Sequence, residues 1–561
     1  MNPPRKSHRL HRLGMLLICI AWVMQLARLF SAPGRIESAP FHSANDRSRW
    51  CTVASLVESG TYQIDHWIAI KDSDGKRPWA TIDMVRHRGW DGKDHAYSSK
   101  PPLLATLIAG VYWPLRQITG ISLTDHPHYM ARLILLLVQL IPLGIFWSIT
   151  WTWMQEQVRS RWGLAIGLAF LLWGTFLSTF SISLNNHLPG AISVAGSLIL
   201  LEQSMRPSQP PIALWRAALL GALAAFGSTC DLPALSWWAI TAALLTWHFG
   251  GKTLVAYLVG GIPILAAFLA TTWLAHGDLR PPYAHRGLGD RIGTLEAPLR
   301  QTTPEKSESP EQNSVASSKP SESGDPSSTL STPPAKPPLD PLLQWLQQQG
   351  FQLSDRTSLR LAELLGDCDL HDAQTGQRFA VVQKGDRWDL HQWDDWYDYP
   401  GSYWLPENKR GVDRGEPSRL FYLWHTLLGH HGILSLTPFW WLAIPGLWVA
   451  IRDPSNGSSR WLFVAIALVT LVCLIFYWTR PLVDRNYGGV SSGFRWAFWM
   501  IPLWMLPTWK SLQAMSKSSI LRGIIAASLM ASIFSASFPW TNPWVHPWIY
   551  QWWSYLGWIP Q

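Results

Sequence analysis

The residues with most chemistry to offer follow the first apolar run. Asn45-Asp46-Arg47-Ser48-Arg49-Trp50 opens a surface helix that runs to Glu58, with Trp50, Val53, Ala54 and Val57 on one apolar face. A carboxylate held there can act as general base towards a hydroxyl. Aspartate is also a favoured helix N-cap, and Asp46 can be both. Further on, Tyr97-Ser98-Ser99-Lys100-Pro101-Pro102 leads directly into an apolar stretch at 103–119. Proline suits the first helical turn. Lys100 then stands at a helix N-terminus, where free N–H groups and the helix dipole favour an anion such as phosphate. The plainer reading is an interfacial lysine with its stem along apolar surface.

Four weaker groups follow. Leu184-Asn185-Asn186-His187-Leu188-Pro189 separates two apolar runs. Its amides and imidazole suit a sugar or a metal, or simply a polar turn. Arg480, Asp484, Arg485, Asn486-Tyr487-Gly488-Gly489 and Arg495 make a basic, glycine-containing loop. Glycine lets backbone approach a ligand and arginine offers a bidentate fork to phosphate, so Arg485 and Arg495 are candidate phosphate contacts. His425, His430 and His431 precede an apolar run at 433. With His187, His425 and His430 are candidate metal ligands. The run Trp393-Asp394-Asp395-Trp396-Tyr397-Asp398-Tyr399 mixes rings and carboxylates, either as a sugar surface or as a packed edge.

These groups must be positioned by apolar elements. Only 15% of the 561 residues are charged, and 37 are tryptophan, a residue of membrane–water interfaces. Apolar stretches at 14–32, 129–153, 163–183, 189–204, 213–230, 232–248, 253–275, 433–451, 460–479, 495–509 and 520–538 predict about eleven membrane spans. Leaving 103–119 outside that count puts Arg159, Arg161, Arg206, Lys252, Arg452, Arg460, Lys510, Lys517 and Arg522 in inside loops. The N-terminus is then inside and the C-terminus outside. The net charge of +9 follows this pattern rather than a nucleic-acid surface. Five scattered cysteines signal neither disulfides nor zinc.

The expected organisation is a membrane core over 1–275 with a first outer loop at 33–128. A second outer loop spans 276–432, with a Ser/Pro-rich, disordered 302–338 and a small folded insert at 340–400. In the insert, a helix is expected from Ser354 to Leu365 and a hairpin from Arg378–Gln383 to Arg387–Gln392. Further spans cover 433–538, and a Trp-rich interfacial tail covers 539–561. The fold class is thus an all-α polytopic membrane protein with a small α+β extracytoplasmic insert.

An acidic residue opening a D-x-x-R-W surface helix after the first span, then a K-P-P step into a second apolar helix, resembles the GT-C glycosyltransferases. The chain is similar in particular to the group of protein O-mannosyltransferases and the lipid A aminoarabinose transferase, glycosyltransferase family 39-like. The likeness is best over 1–275. It implies two juxtamembrane helices in the first outer loop, a catalytic or metal-binding role for Asp46, and donor-phosphate contacts from Arg49 and Lys100. Relatives carry a second acidic residue in the next outer loop, where this chain has Asn185, Asn186 and His187. That departure leaves a divalent metal, Mg or Mn, open as cofactor. The implied activity is transfer of a sugar from a polyprenyl-phosphate donor to an extracytoplasmic glycan, lipid or protein hydroxyl, with inversion, at the outer face of a bacterial cytoplasmic membrane. No nucleic-acid partner is expected. The alternatives are a lipid-linked transporter or flippase, and a non-catalytic membrane assembly factor.

Overall fold

The computed structural model describes residues 8–34, 39–206, 210–296, 339–361, 367–385 and 387–559. The stretch expected to be disordered, 302–338, lies outside them.

Two compact units emerge, one from 1–283 with 399–561 and one from 284–398. In the first unit, helix forms at each of the eleven apolar stretches, but the elements are unequal. Six are long and apolar enough to cross a membrane: His8–Ser31, Pro127–Gln157, Arg161–Ile182, Gly251–His276, Asn456–Trp478 and Ser519–Ser537. The helix Leu214–Cys230 is apolar but shorter. The remaining four, around 187–204, 232–249, 433–452 and 495–515, stay outside that class. Polar interruptions explain part of this. Thr437 and Pro438 break the 433–452 stretch, where a 3-10 turn intervenes. Residues 495–500 also begin as a 3-10 turn before the helix Ile501–Met515. Among the described residues, six of the eleven expected stretches thus meet both length and apolarity.

The segment between the helices His8–Ser31 and Pro127–Gln157 holds two helices, Ala44–Glu58 and Pro102–Thr119, which pack on one another. Of the predicted apolar face of the former, Trp50, Val53 and Ala54 are fully buried and Val57 is half-buried. They join Ile108, Ala109 and Tyr112 of the latter in one hydrophobic cluster. Between the helices runs an antiparallel hairpin, Met84–Arg88 with Asp94–Ser98, that the sequence pattern did not reveal. Within Pro127–Gln157 one turn, Leu136–Leu140, is π-helical. Its wider turn carries the buried Gln139, whose amide donates to the carbonyl of Asn185 at 3.1 Å.

The second unit is a five-stranded antiparallel sheet. Its spatial order is Arg286–Glu296, Arg387–Asp395, Arg378–Lys384, Cys368–Asp372 and Thr357–Leu361. The helix Leu339–Gln348 adds Leu342 and Leu346 to its core beside Leu370, Val381, Trp388 and Leu390. The predicted hairpin is present, paired Lys384 to Arg387. The predicted helix from Ser354 is not. Thr357–Leu361 is a strand paired with Cys368–Asp372, and the rest of that stretch lies outside the described residues. Ser354 caps no helix. Its N–H and hydroxyl both donate to the Asp372 carboxylate, at 2.7 and 2.6 Å. The Trp393–Asp398 run is a packed edge. His285 stacks on Trp396 at 3.4 Å, and the Arg378 guanidinium lies 3.9 Å from the Trp393 ring.

Candidate active site

The helix Ala44–Glu58 begins with Ser43 as N-cap, and Asp46 occupies the third helical position of a capping box. Asp46 is therefore not the N-cap itself. Its carboxylate accepts from the N–H of His42 at 2.8 Å, of Ser43 at 2.7 Å and of Arg47 at 2.9 Å. It also accepts from the hydroxyls of Ser43 at 3.0 Å and Ser183 at 3.2 Å. With 0% exposure and five donors, this carboxylate is committed to holding the helix start.

One turn later Arg49 points elsewhere. Its guanidinium donates to Asn45 and, at 2.6 Å, to the Asn186 side-chain oxygen. Asn186 donates in turn to the Cys230 carbonyl at 2.7 Å and to Asp231 at 3.1 Å. The next residue, His187, is 2% exposed. Its Nδ1 lies 3.1 Å from Asp231, and its Nε2 lies 2.9 Å from a guanidinium nitrogen of Arg495. Because an arginine can only donate, that contact makes Nε2 an acceptor and puts the ring proton on Nδ1, towards Asp231. Arg49 and Arg495, 446 positions apart in the chain, are thus brought to adjacent residues of one turn.

Arg495 is set from behind. Its Nε donates to the Gly488 carbonyl. Gly488 and Gly489 have positive φ, +94° and +75°, and both N–H groups are held by the Asn486 side chain at 2.8 and 3.2 Å. A Cβ on Gly488 would lie 2.6 Å from Arg495 side-chain atoms, so both the turn and the close approach require glycine here. The guanidinium also lies 4.9 Å from the Trp544 ring. Trp544 donates to Ser183 at 2.8 Å, the same hydroxyl that reaches Asp46. The Trp-rich tail thus sends one buried ring to the site, while Trp540, Trp552 and Trp558 stay exposed.

Lys100 enters just before the helix Pro102–Thr119, and its Nζ lies 3.2 Å from Asp83. Asp83 borders the hairpin and is 8% exposed. Burial opposes its ionisation, but Lys100, Arg495 and Arg49 outweigh that and hold its carboxyl below the usual range. The same burial, helped by Arg49 and Arg495 and opposed by Asp83, brings Lys100 down to about 8. Burial and Arg495 bring Arg49 to about 10. Asp413 completes the neighbourhood, pushed up by burial and by the charge of Asp83. Among the described residues neither Arg49 nor Arg495 makes a direct ion pair with a carboxylate. Two guanidinium groups and an amine thus act on one neighbourhood that also holds Asp83, Asp231 and Asp413, and the guanidinium groups, lacking a direct carboxylate pair, offer N–H donors to an anion.

Other predicted residues lie apart. Asn185 is buried and spends its side chain on the carbonyls of Phe180 and Ser183 and the N–H of Leu188. Arg485 donates to the Pro417 carbonyl at 2.6 Å rather than joining Arg495. His425 and His430 stack at 4.0 Å beside Tyr487, Tyr550 and Trp553, away from Asp46 and His187. Among the described residues no group of three or more His, Cys, Asp or Glu is arranged to hold a metal. Among the described residues the four candidate ligands Asp46, His187, His425 and His430 form no common site. Two carboxylates were missed. Asp83 carries no local pattern. Asp231 had one usable signal, an acidic residue directly between two apolar runs and ahead of a proline.

No family model matches the chain, and no curated protein matches it. Among solved structures it is similar to the oligosaccharyltransferase AglB of the archaeon Archaeoglobus fulgidus, in complex with an inhibitory peptide and a dolichol-phosphate. The TM-score is 0.41 and the identity 9%, over 97% of this chain and 57% of that one. The apo form of the Archaeoglobus fulgidus oligosaccharyltransferase matches with the same values. The chain spans 57% of the length of these proteins.

Proposed function

We propose that the chain is a membrane glycosyltransferase of the GT-C type, moving a sugar from a polyprenyl-phosphate donor to a hydroxyl of an extracytoplasmic glycan, lipid or protein. The observation that carries this reading is the convergence of Arg49, Lys100 and Arg495, two of them without a carboxylate partner, beside the buried, ionised Asp83. Among the described residues six helices are long and apolar enough to cross a membrane, which suits a donor with a lipid tail.

In this reading the cations receive the donor phosphate and strengthen their contacts as it departs and gains charge. The acceptor oxygen forms the new bond to the anomeric carbon while the bond to the phosphate oxygen breaks. The bonding pair stays on the phosphate. The acceptor proton passes to Asp83, which must be ionised to take it. Attack opposite the leaving group inverts the anomeric carbon. Asp231 fixes the His187 proton, so that Nε2 accepts from Arg495 and aims it. The catalytic carboxylate is assigned to Asp83 rather than Asp46, whose lone pairs are engaged by five donors.

The test is transfer from labelled polyprenyl-phosphate sugars in membranes, comparing wild type with Asp83→Asn and Lys100→Ala at matched expression. Transfer that collapses in Asp83→Asn supports the reading. Undiminished transfer in both variants removes the site. Lipid-phosphate binding without transfer to any acceptor turns the site to the transporter alternative.

A further inference from the structure

A second opening lies on the first outer loop. A cavity of about 230 Å³ is lined by Asp65, Ile68, Thr81 and Met84, with Arg77 and Arg86 at its rim. That volume is below the roughly 300–1,000 Å³ of sites for drug-sized ligands, so it suits a single sugar or a similar small group.

The rim charges are unequal. The Asp65 carboxylate is already engaged, accepting from the Ala96 N–H at 3.1 Å and facing His95 Nδ1 at 3.2 Å. Arg77 and Arg86 are exposed, and neither side chain is hydrogen-bonded or ion-paired to another described residue. The one contact of the Arg86 guanidinium is with the Tyr399 ring, at 5.6 Å. A ring contact leaves guanidinium N–H groups free for an oxyanion. The walls from Ile68, Ala69 and Met84 are apolar and suit the C–H face of a sugar.

The cavity also shares its backbone with the candidate active site. Met84 and Arg86 line it, while Val85 between them and Asp83 just before the strand are buried. Thr81 links the two. Its hydroxyl donates to the Ala44 carbonyl at 2.7 Å and accepts from the Asp83 N–H at 3.0 Å.

We propose that this cavity is an acceptor subsite selecting a sugar that bears a phosphate or carboxylate, held by Arg77 and Arg86 next to the reacting sugar. It rests on the glycosyltransferase reading for the word acceptor, and on the cavity alone for the anion.

The experiment is equilibrium binding of glucose 1-phosphate, glucuronate and glucose to the full-length protein in detergent, without donor. The expected result is saturable binding of both anions and none of glucose. Arg77→Ala with Arg86→Ala weakens both anions at least about tenfold, the scale of one lost charge-assisted contact. Lys93→Ala, an exposed cation on the same hairpin, and Asp83→Asn leave binding within twofold. Retained binding in Asp83→Asn separates this site from the transfer chemistry, so either idea can fail alone. Equal binding of glucose, or equal loss in Lys93→Ala, overturns the subsite. Loss in Lys100→Ala without loss in the double variant places the anion in the donor site and also overturns it. Competition by phosphatidylglycerol vesicles makes the anion a membrane lipid's and overturns the acceptor assignment.

Discussion

The Nζ of Lys100 lies 3.2 Å from a carboxylate oxygen of Asp83; burial with Arg49 and Arg495 lowers the amine against the pull of Asp83, while Lys100, Arg495 and Arg49 lower the carboxyl against its burial. A buried pair of this kind is held by its surroundings as much as by its own attraction. Removing one partner leaves the other buried and uncompensated. The pair is also asymmetric, since Asp83 faces three cations while Lys100 faces one carboxylate and two cations. Asp83→Asn is therefore expected to cut transfer about 10²–10⁴-fold, the range for losing a general base. Lys100→Ala is expected to act mainly on donor KM and kcat/KM. Steady-state transfer with donor varied at saturating acceptor separates the two. If the double variant is no worse than Asp83→Asn alone, the two residues work as one unit.

Transfer should decline on the alkaline side. Lys100 titrates at about 8, below the ordinary 10.5, because burial and two arginines disfavour its charge. The kcat/KM profile for the donor is expected to fall above about pH 8 as the amine loses its proton, since that ratio reports the free enzyme. Lys100→Arg should remove that limb. Stability responds with the opposite sign. Between about 8 and 10.5 the folded chain holds fewer protons than the unfolded chain, so the Lys100 contribution to stability grows with pH there. Asp83, held below its usual range, contributes stability that is lost as pH falls through its folded value. A profile flat from pH 7 to 10 in wild type would remove the role given to Lys100.

Asp46 is expected to matter for stability first. Asp46→Ala strands three backbone N–H groups at the start of a buried helix, and the cost expected is about 1–3 kcal/mol. The apparent thermal midpoint in detergent should drop clearly in Asp46→Ala and less in Asp83→Asn. The reverse order, or transfer abolished in Asp46→Asn with an unchanged midpoint, would return the catalytic role to Asp46.

Elements with a strong local pattern were legible in the sequence. Ala44–Glu58 shows its buried Trp50, Val53 and Ala54 at helical spacing. Pro102–Thr119 follows the K-P-P step, and the 378–392 hairpin has its turn at Gly385, with φ of +62°. What failed was long-range or weakly patterned. The strands Met84–Arg88 and Asp94–Ser98 are short and polar, so nothing marked Asp83 as bordering a hairpin. Ser354–Leu361 reads as a capped helix until Cys368–Asp372 pairs with it and Asp372 takes the cap. Arg49, Lys100 and Arg495 were legible by type. Asp83, which pairs with Lys100, and Asp231, which pairs with His187, come from other segments, and no local spacing announces contacts such as His187 with Arg495, 308 positions away.

The Gly488 turn gives a test of Arg495 that leaves Arg495 itself unchanged. At φ +94° an alanine carries backbone strain of about 1–2 kcal/mol, and its Cβ would meet the Arg495 side chain at 2.6 Å. The neighbour in the way is the guanidinium arm, so the arm is expected to move before the backbone does. Gly488→Ala should therefore lose transfer at least tenfold, through donor binding, while the thermal midpoint falls no further than in Gly489→Ala. Gly489 is the proper control because its φ is also positive, +75°, yet a Cβ there would sit 3.7 Å from Asp413, in ordinary contact. Equal losses of transfer in the two variants would mean that turn strain alone is being read. A loss confined to Gly488→Ala would tie the donor phosphate to the guanidinium that this turn aims.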